Sequence, residues 1–331
     1  MNKFEYAVPK TIDEVFTFLK EPGSQIKAGG IDLLDLMKEG LAQPQRLVNI
    51  RSLKELNFIK EDGRRGIVIG PGVTLSELAS HEKFQGPFKA LSQAALGAAT
   101  PQIRNSATLG GNLCQRPRCW YFRSADFDCS RKGGGQCYAF DGENQYHAIF
   151  GNDEGCVIVH PSATAVALMA LDAKLKIVSE KSSREVALTE FFVMPSKDMS
   201  RENILKPDEL ITEIIVPPLS PGWTSFYYKQ KEKQSFDWPI AEVAVVMHVN
   251  EGKCTDSRIV LGAAAPVPWR IKKAEAILKG NLITKELAQK AAEAAMKDAS
   301  PLPKNEYKVQ VFKTVIARTI CRAAGVDPLA Q

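Results

Sequence analysis

Lys27-Ala28-Gly29-Gly30-Ile31-Asp32-Leu33-Leu34 is the stretch from which the rest of this 331-residue chain is best read. It follows a strand-like run that begins at Ile26 and opens a helical stripe over residues 33–39, with Gly40 placed as a C-cap. Adjacent glycines let backbone N–H groups come close to a ligand, and the helix N-terminus behind them favours an anion such as a pyrophosphate. The spacing is not G-x-G-x-x-G, so the dinucleotide fingerprint of a Rossmann fold is absent. A purely structural turn satisfies the same residues.

A second glycine pair lies downstream in Thr108-Leu109-Gly110-Gly111-Asn112-Leu113, preceded by Gln102-Ile103-Arg104-Asn105. A hydroxyl and an amide beside two glycines can receive a phosphate or the polar edge of a flavin. A tight β-turn is the alternative.

Directly after this pair come the thiols. Five of the seven cysteines fall between positions 114 and 156, on a glycine-rich, basic background that reads as loop. A loop of that length needs something to order it, and a metal centre is the economical candidate. Cys119, Cys129, Cys137 and Cys156 are 10, 8 and 19 residues apart. Four soft sulfur ligands suit tetrahedral zinc or an iron-sulfur cluster. No C-x2-C knuckle occurs, which moves the balance toward a cluster without deciding it. Cys114 sits inside the second glycine turn and reads as a buried small residue, as do Cys254 and Cys321 in the C-terminal part. His147 and His160 flank Cys156, and imidazole can replace thiolate, but four thiols already suffice. His81 and His248 read as structural. Arg116, Arg118, Arg123, Arg131 and Lys132 cluster around the thiols, either as a solvated loop or as counter-charge to an anionic thiolate-metal centre.

Composition narrows the class. At 44% apolar residues the chain can bury a core without staples, and 331 residues allow two domains. A net charge of +5 without a concentrated basic stripe speaks against nucleic acid as partner. An odd cysteine count and no secretion signal at the start argue against a disulfide framework. No apolar window is long enough to span a membrane. The hydrolase signatures G-x-S-x-G and H-E-x-x-H and the phosphate-binding P-loop are missing, which leaves redox chemistry.

Periodicity predicts helices at 11–19, 75–81, 88–96 and 165–171 and strands at 46–50, 66–70, 174–178 and 213–216, with a short β-branched run at 157–159. Pro217-Pro218 and the following Leu-Ser-Pro-Gly-Trp form the best linker. After it come three antiparallel strands, at 225–229, 241–249 and 257–263, and then helices at 272–278, 284–297 and 309–324. Strands first and helices afterwards predict an α+β domain.

Taken together, these residues resemble the FAD-binding medium subunit of the molybdenum hydroxylases, the xanthine dehydrogenase and aldehyde oxidoreductase family. AGGIDLLDLMKEG (28–40) is similar to the first flavin loop of that family and IRNSATLGGNL (103–113) to its second. GPGVTLSEL, DELITEIIVPP and GAAAPVPWRIKKAEAIL match family patterns in the same order. QRPRCWYF (115–122) resembles the members whose flavin subunit carries an extra 4Fe-4S cluster, such as 4-hydroxybenzoyl-CoA reductase and a bacterial molybdenum aldehyde oxidoreductase.

The resemblance implies an α+β fold: a two-subdomain FAD-binding domain of the PCMH/VAO-like kind over residues 1–218, with the cluster loop at 115–158, then an α+β domain of the CO dehydrogenase flavoprotein type at 224–331. It implies FAD contacts from Lys27, Ala28, Gly29, Gly30, Ile31, Asp32, Leu33 and Leu34, from Thr108, Gly110, Gly111 and Asn112, and from Leu210 and Lys229. It implies Cys119, Cys129, Cys137 and Cys156 as ligands of the 4Fe-4S cluster, with Arg118 and Arg131 as electrostatic tuners. Two positions depart from the family: Ile31 fills a slot often held by Thr or Asn, and Ala163 replaces the aspartate of HPSD.

The implied task is electron transfer by FAD and cluster, with no catalytic residue for the organic substrate on this chain. The partners would be a large molybdenum-cofactor subunit, a small 2Fe-2S subunit and an external electron acceptor or donor. The expected location is cytoplasmic, or periplasmic by export with a signal-bearing partner. A free-standing flavin oxidoreductase of the same fold and a zinc-organised scaffold are the alternatives.

Overall fold

The computed structural model describes residues 1–152, 155–233 and 235–328. The chain opens as a β-α-β-α-β unit. Strands β1 (Glu5–Ala7), β2 (Ser24–Lys27) and β3 (Arg46–Asn49) form a parallel sheet in the order β1-β3-β2, connected by helices α1 (Ile12–Leu19) and α2 (Ile31–Lys38). Thr11 caps α1 by accepting from the Glu14 N–H, and Val15, Phe16 and Leu19 pack on Val48, Ile50 and Leu53. The start of α2 differs. Its N-cap is Gly30, at φ 77°, which offers no side chain to the N–H groups of the first turn.

A second sheet is antiparallel throughout, in the order β4-β5-β8-β6-β7. It comprises β4 (Ile59–Asp62), β5 (Gly66–Ile69), β6 (Lys174–Val178), β7 (Ser183–Ala187) and β8 (Leu210–Val216). Between β5 and β6 run α3 (Leu75–Ser80), α4 (Lys89–Gly97), α5 (Pro101–Ser106), α6 (Leu109–Leu113), the short α7 (Trp120–Arg123) and α8 (Ala163–Ala170), and α9 (Leu188–Phe191) follows β7. All eight residues of α8 are buried. A helix without a polar face must be covered all round. Here α4, α6 and strands of the C-terminal sheet pack against it, in a core shared with the second sheet.

That last sheet is the antiparallel meander of β9 (Trp223–Gln230), β10 (Ala241–Asn250), β11 (Lys253–Gly262) and β12 (Trp269–Arg270), followed by α10 (Lys272–Leu278), α11 (Lys285–Ala295) and α12 (Tyr307–Ala323). Alternate residues of β10 serve two cores. Val243, Val245 and Met247 join α10–α12, whereas Ala244 and Val246 join α4 and α8. A strand covered on both faces loses its polar register, which is why 241–249, Glu242 and His248 apart, is apolar. Cys254 and Cys321 pack in the first of these cores.

Some elements depart from the sequence pattern. Strands β4 and β7 were not foreseen; they are edge strands with the polar sequences IKED and SREVA, and only pairing with a neighbour reveals them. Residues 109–113 are a helical turn rather than a β-turn, because Thr108 Oγ1 accepts from the Gly111 N–H at 3.2 Å. The run 157–159 forms no strand. Among the described residues no helix is long and apolar enough to cross a membrane.

Candidate cofactor site

The two glycine segments meet. Residues 27–33, at the start of α2, line one cavity together with Thr108, Gly111 and Asn112 from α6 and its cap. Ala98, Ala99, Ile103, Ala107, Pro161 and Ala163 continue its wall, and β9 and the β9–β10 connection close it with Lys229, Trp238 and Pro239. Its volume is about 300 Å³.

Backbone contacts fix this geometry. The segment after β5 pairs with the second glycine segment: Leu75 N–H donates to Ala107 O at 2.9 Å, Leu109 N–H to Val73 O at 2.8 Å and Gly110 N–H to Pro71 O at 2.9 Å. Arg104 is buried and donates to the carbonyls of Ala98 and Ala99, holding the turn at Ala99, whose φ is 43°. Asn112 Oδ1 accepts from Ser162 Oγ at 2.7 Å and from Thr164 Oγ1 at 2.6 Å, so the N-terminus of α8 orients its amide. In the sequence Ser162 and Thr164 look like ordinary helix-start residues.

Three of the residues implied as cofactor contacts stand elsewhere. Leu34 is one turn into α2, against the Gly30 side of the helix start. Gly110 packs on Pro71. Leu210, at the start of β8, is buried with Val15, Leu53 and Leu56 in the core under the first sheet. Asp32 lines the cavity, but its carboxylate is committed to the cysteine segment. It accepts from Arg116 N–H at 2.8 Å and from Arg123 Nη2 at 2.7 Å, and it pairs with Arg118. Burial pushes the Asp32 carboxyl up, but the guanidinium groups of Arg118 and Arg123 outweigh it and hold the carboxyl below its ordinary value.

A second, enclosed space is lined by Cys119, Cys129, Cys137 and Cys156, which lie up to 37 residues apart in sequence, together with Arg131, Tyr138 and His147. Backbone N–H groups point at the sulfurs: those of Phe122 and Tyr121 at Cys119, of Ala139 and Val157 at Cys137, and of Ile158 at Cys156. The Cys137 thiol donates to Cys156, and with the Arg131 guanidinium beside it this holds the Cys156 thiol below its ordinary value despite burial. Burial pushes Cys119 up to about 11. His147 Nε2 is 3.2 Å from Cys119 Sγ, and burial lowers this imidazole to about 4, leaving it neutral.

Among the described residues no group of three or more His, Cys, Asp or Glu side chains is arranged to hold a metal ion. Zinc-sulfur bonds of about 2.3 Å would draw four sulfurs tightly around one point. The four thiols here line one space. Cys114 lines the other cavity, and burial pushes its thiol up to about 12. Arg131 is 4% exposed and pairs with Glu202 at 2.7 Å, and its Nε and Nη2 find no hydrogen-bond partner by distance and angle among the described residues. Arg118 is on the other side, stacked on Trp238 at the first cavity. The cysteine segment also packs on α2, with Phe122, Cys119 and Cys129 against Leu36.

The FAD binding domain of molybdopterin dehydrogenase matches this chain over residues 2–219, and the CO dehydrogenase flavoprotein C-terminal domain matches residues 226–323. The chain belongs to the FAD-binding medium subunits of the molybdenum hydroxylase and CO dehydrogenase family. Members of this family are oxidoreductase subunits. The chain is 34% identical over 326 residues to the aldehyde oxidoreductase FAD-binding subunit PaoB of Escherichia coli, covering 98% of this chain and 99% of the relative. It is 30% identical to the carbon monoxide dehydrogenase medium chain of Hydrogenophaga pseudoflava, covering 90% and 88%. The solved carbon monoxide dehydrogenase from that organism superposes with a TM-score of 0.75 at 29% identity, covering 98% of each chain.

The residues present suit the medium subunit's flavin. The first turn of α2 has N–H groups that no side chain caps, which is the arrangement that receives a pyrophosphate. Gly29 lets the wall formed by Ser106 and Ala107 approach without a gap.

Proposed function

We propose that this medium subunit binds FAD in the cavity between segments 27–33 and 108–112, carries a 4Fe-4S cluster on Cys119, Cys129, Cys137 and Cys156, and works as the electron-transfer subunit of a complex. Its partners are a large molybdenum-cofactor subunit and a small 2Fe-2S subunit, and an external redox partner exchanges electrons at the flavin. Residues 1–218 form the FAD domain, with the cluster-bearing segment 115–158 inserted, and residues 224–331 form the C-terminal domain. The subunit is cytoplasmic unless a signal-bearing partner exports it folded.

One observation carries the cluster assignment: four cysteines dispersed in sequence line a single closed space, with backbone N–H groups directed at three of the sulfurs. Such hydrogen bonds stabilise anionic sulfur and tune a cluster's potential. Bound FAD would supply two-electron chemistry and a link to one-electron centres. Of the protein groups, Gly29, Gly30 and the first turn of α2 would hold the pyrophosphate, Asn112 and Lys229 would offer polar contacts, and Asp32 would join the flavin loop to the cluster segment. No side chain here is assigned to the organic substrate.

The test is an absorption spectrum with metal analysis on anaerobically prepared protein. Flavin bands together with a broad shoulder bleached by dithionite, and about four irons per chain, are expected. Stoichiometric zinc in a colourless protein would overturn the proposal.

A further inference from the structure

A buried carboxyl forms part of the flavin cavity. Glu242, on β10, is 1% exposed, yet it lines the cavity beside Lys229. In the sheet it pairs with Lys229 on β9 and with Gly262 on β11. Its Oε1 accepts from the Tyr227 hydroxyl at 2.7 Å, and its Oε2 has no partner among the described residues. The fold leaves room for that oxygen. A Cβ on Gly262 would collide with Oε2 and would lie 2.6 Å from Val166 Cγ2 on α8.

Among the described residues the groups facing Glu242 are few. Tyr227 and Lys229 come from β9, while Gly262 of β11 and Val166 of α8 contribute no charge. Lys229 directs its ammonium to the Gly97 carbonyl at 3.1 Å, and Lys231 and Asp237 act on Lys229 in opposite directions. Burial pushes the Glu242 carboxyl up, against the lowering effects of Lys229 and of the Tyr227 hydrogen bond. A carboxyl kept in an apolar strand with one oxygen unpaired is costly to the fold. That cost is understandable where a proton has to be held.

We propose that Glu242 is the proton-holding group of the flavin cavity, taking up a proton as the flavin is reduced, so that its charge sets the flavin's reduction potential. The proposal rests on FAD occupying this cavity. Two electrons pass from the reductant, dithionite in the test below, to the flavin together with the proton that the reduced flavin itself takes from solvent, and one further proton passes from solvent to Glu242 Oε2. No bond in the protein breaks. The physical cause is that a desolvated carboxylate and the negative charge of added electrons repel strongly in a low-dielectric site, and protonation removes the repulsion.

The test is a dithionite titration of the flavin in the purified complex across pH 5.5 to 9, for wild type, Glu242→Gln and Tyr227→Phe. Wild type is expected to bind one more proton per two electrons than Glu242→Gln over the interval where Glu242 titrates. That is an extra tenfold change per pH unit, or about 30 mV for a two-electron couple. Tyr227→Phe removes a donor to the carboxylate and should move this interval to higher pH. Equal pH slopes in wild type and Glu242→Gln, with flavin content unchanged, would reject the proposal alone. Should Glu242→Gln lose flavin, an unmoved interval in Tyr227→Phe rejects it equally. Wild type purified without flavin would instead reject the cavity assignment, and the proposal with it.

Discussion

Gly29 lies against the carbonyl group of Ser106, so that a Cβ at position 29 would overlap the oxygen and stand 2.9 Å from the carbonyl carbon. Two segments almost 80 residues apart in sequence therefore share one wall of the cavity proposed for FAD through backbone alone. Gly29→Ala should force them apart. The expected cost is roughly 1–3 kcal/mol, with most of the FAD lost. Thermal melting and the flavin-to-protein absorbance ratio check this; a variant that keeps full flavin would show that the contact does not shape the cavity.

Asp32 ties the flavin loop to the cysteine segment through Arg118, Arg123 and the Arg116 N–H. Removing one partner of a buried charge group leaves the others uncompensated. Asp32→Ala should therefore cost roughly 3 kcal/mol and lower flavin and iron content together. The carboxyl is held below its ordinary value of 3.8 in the fold, so its contribution is fully present above that pH and is lost as pH falls below it toward the lowered value. Urea midpoints for wild type and Asp32→Ala should therefore converge only in strong acid. A loss of flavin with iron retained would mean that the two sites are not coupled through this residue.

Cys114 and Cys119 are five residues apart but belong to different cavities. Cys119→Ser should remove most of the iron and the dithionite-sensitive shoulder. Cys114→Ser should keep the iron and at most weaken flavin binding. The reverse pattern, measured by iron analysis, would exchange their roles.

Lys308, on α12, is fully buried and donates to three carbonyls, those of Ala263 at 2.6 Å, His147 at 2.8 Å and Tyr146 at 3.3 Å. It joins the C-terminal helices to the cysteine segment from beneath. Lys308→Met keeps the stem but leaves those carbonyls without a donor, at roughly 1–3 kcal/mol for each group left unsatisfied. A drop in urea midpoint with reduced iron content is expected. Unchanged stability would mean that water replaces the ammonium there.

The sequence by itself determined the periodic elements and the order of the motifs. Apolar spacing located α1, α4, α8 and the strands after Pro217-Pro218, and Gly29-Gly30 marked the turn before α2. It also separated Cys114 from the four later cysteines by position in the motif. These features are legible because local backbone preference and one-face burial leave a periodic trace in nearby residues.

Tertiary structure alone decided what distant residues do to one another. Asp32 looks like a loop carboxylate until Arg118 and Arg123 arrive across some 90 residues. Asn112 acquires its orientation from Ser162 and Thr164, and Leu210 leaves the cavity for a core beneath the first sheet. Glu242 is hidden in an apolar strand, and only the pairing of β9, β10 and β11 places it between Tyr227, Lys229 and Gly262 at the cavity. Spacing along a chain carries no record of which strand will lie alongside, so charges and hydrogen bonds made across sheets and loops come into being only with the packed fold.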